Sequence, residues 1–305
     1  MANLTRLSSS SKAIAMMILA IFFLSSMDAV GKGLSSRYDV MQIVWVRYIG
    51  QMLLAGLLVW RTTGVVLRTR SPGLQLLRSA LLYIGTLSFF IGFSNIDLAA
   101  ATAILQINPL VIAIAAWILL GEQFGWRRLL GVCIGLAGAI IIIRPGTSVF
   151  SPYALFPLIA ALSFSGYAIA TRFLSRTEGI AASFFFTTIL GTIIASVVVP
   201  FRWSTPALED ILPMTLVAMF GTAGQYLIIR ALFLAEASVV SPFGYMALVF
   251  SAIYGMIFFN EFPDFWTYVG AFVIAASGLY IWHREATKTG GKIEQGNDRT
   301  NTRNC

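Results

Sequence analysis

Apolar residues run along this chain in long, nearly unbroken stretches, without the alternation of a half-buried strand. Ten stretches can be drawn: 13–29, 40–60, 74–93, 99–120 and 129–143, then 153–170, 180–199, 211–231, 239–259 and 265–282. Each is near the roughly 20 residues that a helix needs to cross a bilayer. They predict an all-α membrane protein. The polar positions between them repeat: at an offset of 139 residues Asp97 falls on Glu236, Glu122 on Glu261 and Gly131 on Gly270. Near the start the offset becomes 140, pairing Lys32 with Arg172 and Ser35 with Ser175.

The repeat divides the chain into two five-helix units, 13–143 and 152–283, followed by a polar tail, 284–305, expected to be disordered and cytoplasmic. Five is odd, so the second unit must enter the membrane from the side opposite to the first. The fold expected is ten transmembrane helices built from two inverted five-helix repeats. Basic residues test this independently, because cytoplasmic loops are enriched in Lys and Arg. With both termini inside, sixteen of the 21 Lys and Arg residues fall on inner segments, Arg78 counted among them. Lys32, Arg37, Arg144 and Arg202 fall on outer segments, and Arg47 lies inside the second stretch. The expected location is a bacterial cytoplasmic (inner) membrane, with multiple passes and both termini cytoplasmic.

Composition agrees: 58% of residues are hydrophobic, 11% are charged, and the mean hydropathy is +0.82. The net charge of +8 sits in short loops between apolar stretches, which reads as a topology signal and not as a nucleic-acid surface. Cys133 and Cys305 cannot form a disulfide framework. The first stretch could be read as a signal peptide, but it aligns with the internal sixth stretch and is expected to be a retained helix. Nothing points to an enzyme. His283 is the only histidine, and no phosphate loop, HExxH or metal-spaced Cys/His cluster is present. No cofactor is expected. Without a Walker motif the chain is no self-contained ATP-driven pump, so energy would come from a gradient or from exchange.

The stretches 99–145, reading AAATAILQINPLVIAIAAWILLGEQFGWRRLLGVCIGLAGAIIIIRP, and 235–284, with its segment FFNEFPDFWTYVGAFVIAASGLY, each place an apolar helix, a Gly-Glu or Asn-Glu turn and a Gly/Ala-rich helix in series. Two such units in tandem resemble the drug/metabolite transporter superfamily, of the EamA type with ten helices. The resemblance implies a secondary transporter in which the first, third, fourth, sixth, eighth and ninth helices line the cavity. The segment with Asp28, Lys32 and Arg47 looks like the uptake branches for riboflavin and S-adenosylmethionine, with riboflavin placed first. Export of amino acids or related metabolites is the alternative, and a membrane assembly or sensor protein is the alternative outside transport.

Particular residues add to this. Pro109 removes a backbone donor beside Gln106 and Asn108 in the fourth stretch, and Pro242 and Gly244 lie near the start of the ninth. Interruptions at corresponding places in two repeats point to a binding site at mid-membrane. Asp28 and Lys32 are spaced i,i+4, which favours an ion pair. With Arg47 at similar depth they form either an outer gate or coupling site, or a structural clamp. Polar aromatic and amide candidates for a flat ligand are Tyr83, Asn95, Gln106, Asn108, Trp117, Tyr167, Gln225, Tyr226, Tyr245 and Tyr254; packing and interfacial anchoring are the competing roles for each. Gly131, Gly135 and Gly138 line one side of the fifth helix, which with the tenth reads as scaffold or a homodimer face. The partners expected are thus a small-molecule substrate, the lipid bilayer and, for that face, a second copy.

Overall fold

The computed structural model describes residues 2–61, 69, 71–120, 126–144, 151–174, 178–234, 241–277 and 279–280. The tail 284–305 and the side chain of Trp117 lie outside the described residues. Described secondary structure is helical. The first repeat contains α1 (Ala2–Leu34), α2 (Val40–Arg61), α3 (Pro72–Asn95), α4 (Leu98–Leu105), α5 (Asn108–Leu120) and α6 (Trp126–Ile143). The second contains α7 (Leu155–Leu174), α8 (Ile180–Val198), α9 (Ile211–Leu234), α10 (Met246–Phe259), preceded by a 3₁₀ turn over Ser241–Tyr245, and α11 (Phe265–Ser277). Among the described residues six stretches are long and apolar enough to cross a membrane: Ser11–Leu34, Val40–Leu57, Pro72–Asn95, Pro152–Thr171, Ala182–Arg202 and Leu208–Ala231. Helices suit that environment because every backbone bond is made within the segment.

The fourth expected helix is broken in two. Gln106 and Ile107 form a turn between α4 and α5, and Pro109 is the second residue of α5. Its ring would clash with the Leu105 carbonyl in a continuous helix, whereas the first turn needs no N–H from it. The ninth expected helix starts as a tight 3₁₀ turn through Pro242 and Gly244 for the same reason.

Packing between the halves follows a pseudo-two-fold axis. The pairing of α1 with α9 has its counterpart in α7 with α3; α2 with α9 in α8 with α3; and α1 with α10 in α7 with α4 and α5. Close approaches match as well. On α3, a Cβ at Gly85 would meet the Phe164 ring of α7 at 2.7 Å, and on α9 one at Gly224 would meet Leu24 of α1 at 2.7 Å. Gly85 and Gly224 are themselves 139 residues apart.

The two ends of the bundle show the inversion directly. One rim holds the end of α1, joined there by Arg37 to Glu209 and Asp210 and by Asp39 to Arg202. The end of α7, which occupies the equivalent place in its repeat, lies at the opposite rim, where Thr69 Oγ1 donates to Glu178 Oε1 at 2.6 Å. These are called the Leu34 rim and the Pro72 rim below.

The glycine stripe of α6 is used within the chain. A Cβ at Gly138 would meet the Gly270 carbonyl at 3.0 Å and Ile274 at 2.9 Å, and Ser277 donates to the Gly131 carbonyl. The small residues let α6 and α11 approach each other.

Candidate functional site

The helices α1, α3, α4 with α5, α7, α9 and α10 pack on one another at the centre, and α2 and α8 lie behind them. Three polar groupings sit among these helices.

The first lies at the Leu34 rim. Lys32, at the end of α1, pairs with Glu261 at 2.6 Å and also donates to the carbonyls of Phe93 at 2.8 Å and Ile96 at 2.7 Å. Its ammonium lies 5.6 Å from the centre of the Phe259 ring. Glu261 Oε2 accepts the N–H of Leu98, the first residue of α4. One ion pair thus joins α1, the end of α3, the start of α4 and the α10–α11 turn. The i,i+4 pair expected between Asp28 and Lys32 is not formed: Lys32 turns to Glu261, and the cation that acts on Asp28 is Arg47. Each ion pair among the described residues of this rim, Lys32–Glu261, Arg37–Glu209, Arg37–Asp210, Arg144–Asp264 and Arg202–Asp39, joins the first repeat to the second. Beside them, Asp264 is about half-exposed: burial pushes its carboxyl up, but hydrogen bonds from Thr267 and the contact with Arg144 outweigh this and hold it below the usual carboxylate range. Asp97 is held above that range, by burial first and by Glu261 second, with Lys32 acting against them.

The second grouping is on α2 and α3. Arg47 is seven residues into α2, about 10 Å along its axis from the Leu34 rim, and is 5% exposed. Its Nη1 donates to Thr86 Oγ1 at 2.9 Å. Tyr48 and Tyr83 pack 5.7 Å apart beside it, and Tyr83 Oη reaches Met41 Sδ at 3.8 Å.

The third is nearer the Pro72 rim. Gln225 Nε2 donates to Tyr167 Oη at 3.0 Å, and the Arg78 guanidinium lies 5.8 Å from the Tyr167 ring centre. Thr86 and Gln225 are repeat equivalents, so the second and third groupings occupy symmetry-related places. Arg78 was expected on an inner segment as a topology signal. It lies instead six residues inside α3, fully buried, donating to Ser183 O and Thr187 Oγ1 of α8.

The remaining expected residues divide. Gln106 Nε2 donates to Gly244 O at 3.0 Å, so the two helix interruptions meet, with Tyr245 adjoining. Asn108 is tied to α7, where Ser165 Oγ donates to its Oδ1 at 3.1 Å. Tyr254 is hydrogen-bonded to Ser26 of α1 at 2.8 Å. Asn95 sits exposed at the Leu34 end of α3, donating to Ile91 O, and Tyr226 faces Arg230 on α9; neither joins the central groupings. Glu261 and Arg78 went unrecognised as site residues. Nothing along the sequence marks Glu261 as the partner of Lys32, 229 residues away. Arg78 lies beyond Pro72, a helix-start signal that separates it from the loop.

The sequence profile of the EamA-like transporter family matches residues 11–144 and 151–282. Among similar proteins, an S-adenosylmethionine uptake transporter of Rickettsia bellii is 27% identical over 277 residues, covering 90% of this chain and 95% of its own. A riboflavin transporter of Brucella anthropi is 27% identical over 250 residues, covering 80% and 88%. A pseudopaline exporter of Pseudomonas aeruginosa is 26% identical over 274 residues, covering 87% and 93%. A solved crystal structure aligns with 88% of this chain and 95% of its own at a TM-score of 0.61 and 18% identity, a likeness of fold.

Proposed function

The chain belongs to the EamA-like transporter family, and on that premise we propose that it takes up a small heteroaromatic metabolite by alternating access, the two inverted units rocking about a site at their junction. The observation that supports this most is the meeting of the two helix interruptions through Gln106 and Gly244. Irregular backbone at membrane depth is tolerated only where it is buried in protein or lines a cavity. Here it is flanked by Asn108, held by α7, and by Tyr245 at the end of the 3₁₀ turn. The Leu34 rim faces outward in this reading, and its repeat-to-repeat ion pairs close the outer entrance.

Riboflavin and S-adenosylmethionine are the two substrate candidates. Tyrosine rings and amides suit the flat ring of either, and aromatic faces can hold a sulfonium. Each is the named substrate of a relative. Export is the second reading, favoured by the similarity to a pseudopaline exporter. Purified protein in liposomes, offered radiolabelled riboflavin, S-adenosylmethionine and an amino-acid panel on either side, tests all three. Saturable movement of either heteroaromatic compound supports uptake; movement of amino acids alone supports the second reading, and movement of nothing counts against transport.

A further inference from the structure

The three cations within the bundle differ in what answers them. Lys32 has Glu261 at 2.6 Å. Arg47 donates to Thr86 and has Asp28 acting on it through space, with its Nε left without a hydrogen-bond partner among the described residues. Arg78 forms no ion pair among the described residues. Its Nη2 bonds Ser183 and Thr187, while its Nε and Nη1 have no partner, although the side chain is 0% exposed. Glu178, toward the Pro72 rim, accepts from Thr69 and acts on Arg78 through space without forming an ion pair with it.

A guanidinium cannot shed its charge in a protein, so it cannot escape an unfavourable site by deprotonating. Buried donors left unmade are costly, and an ionisable side chain at membrane depth with donors unmade points to a functional site by default. Arg78 lies about 9 Å along α3 from the Pro72 rim by the helical rise. Eight residues further on the same helix is Thr86, and against its guanidinium stands the Tyr167–Gln225 pair. We propose that Arg78 anchors the anionic group of the transported molecule, so that the site is specific for a ring-bearing metabolite with one carboxylate. This rests on the transport reading above and narrows its substrate: riboflavin has no carboxylate, and among the described residues Arg78 is the one buried cation with two donor nitrogens unmade.

The test compares matched ligand pairs on the full-length protein in detergent: S-adenosylmethionine against decarboxylated S-adenosylmethionine, and L-tryptophan against tryptamine, with apparent affinity read from thermal shift. The carboxylate-bearing member of a pair should bind at least about tenfold more tightly, equivalent to about 1.4 kcal/mol. Arg78→Gln should abolish that preference, and Arg78→Lys, which keeps the charge but loses the planar fork, should restore part of it. A wild-type protein that binds acid and amine equally overturns the proposal. So does an Arg78→Gln protein that melts earlier yet keeps the acid-over-amine ratio, which makes Arg78 a pin between α3 and α8. The two readings fail separately: acid-selective binding through Arg78 without movement in liposomes keeps the anchor and loses transport, whereas equal transport of acid and amine keeps transport and loses the anchor.

Discussion

Replacing Lys32 by Gln should open the Leu34 rim. The side chain is 10% exposed and that of Glu261 is 18% exposed, so solvent screens the pair weakly. At 2.6 Å the gross Coulomb attraction is about 6 kcal/mol with an effective dielectric constant of 20. Desolvation offsets much of that, and removing one partner of such a pair costs about 3–5 kcal/mol. Lys32 also holds the carbonyls of Phe93 and Ile96, of which a glutamine amide can keep at most one or two at poorer reach. Taking about 3 kcal/mol, the closed state weakens roughly 100-fold relative to the open one. The assay places a single cysteine at Ala29, 6% exposed and one turn below Lys32, in a chain with Cys133 and Cys305 replaced by Ser, and follows its reaction with a membrane-impermeant maleimide. Lys32→Gln should raise the rate by one to two orders of magnitude. Glu261→Gln should raise it less, because the amide oxygen still accepts the Leu98 N–H. Equal rates in Lys32→Gln and the parent would refute the idea that this pair holds the rim shut.

Gly138→Val forces a side chain against the Gly270 carbonyl and Ile274; a loss of about 1–3 kcal/mol is expected as a lowered Tm, whereas Gly56→Ala, with open space around it, should change Tm little. Asp264 is held below the usual carboxylate range, so its contribution is fully present above that range and is lost as pH falls through the depressed value; a pH–Tm profile should be flat in this respect from about pH 5 to 8, fall at lower pH, and lose part of that fall in Asp264→Asn. Gln106→Ala removes the bond to Gly244 between the two interruptions, worth about 1 kcal/mol, and should slow initial uptake roughly fivefold in liposomes with Tm nearly unchanged; an unchanged rate would separate that contact from transport.

The fold was legible because a membrane restricts the chain so strongly. Long apolar runs, the odd number of segments in each repeat and Pro109 together implied the helices, their inversion and the break that the structure places at Gln106–Ile107. What the sequence could not supply was pairing across distance. Asp28 and Lys32 are neighbours on one helix, and local spacing made them look like partners, but an ammonium at the end of α1 finds a better acceptor in Glu261 and two free carbonyls at the α3–α4 junction. Arg78 was misassigned because a positive charge near a loop and a positive charge one and a half turns inside a helix look alike in a count of basic residues. Asn95 and Tyr226 share residue type with Asn108 and Tyr167; the difference is the direction in which each helix presents them, which depends on the packing of the second repeat.

Reciprocal motion of the two rims is most directly measured by pulsed electron resonance between spin labels in liposomes. One labelled pair joins Ser36 and Leu208, exposed at the Leu34 rim in opposite repeats; the other joins Gly73 and Gly179 at the Pro72 rim, where an added side chain meets open space. On adding the substrate found in the liposome assay, one distance should lengthen as the other shortens, and Lys32→Gln should shift both populations toward the open Leu34 rim. Distances that change together, or that do not respond to a transported substrate, would contradict alternating access by two inverted units.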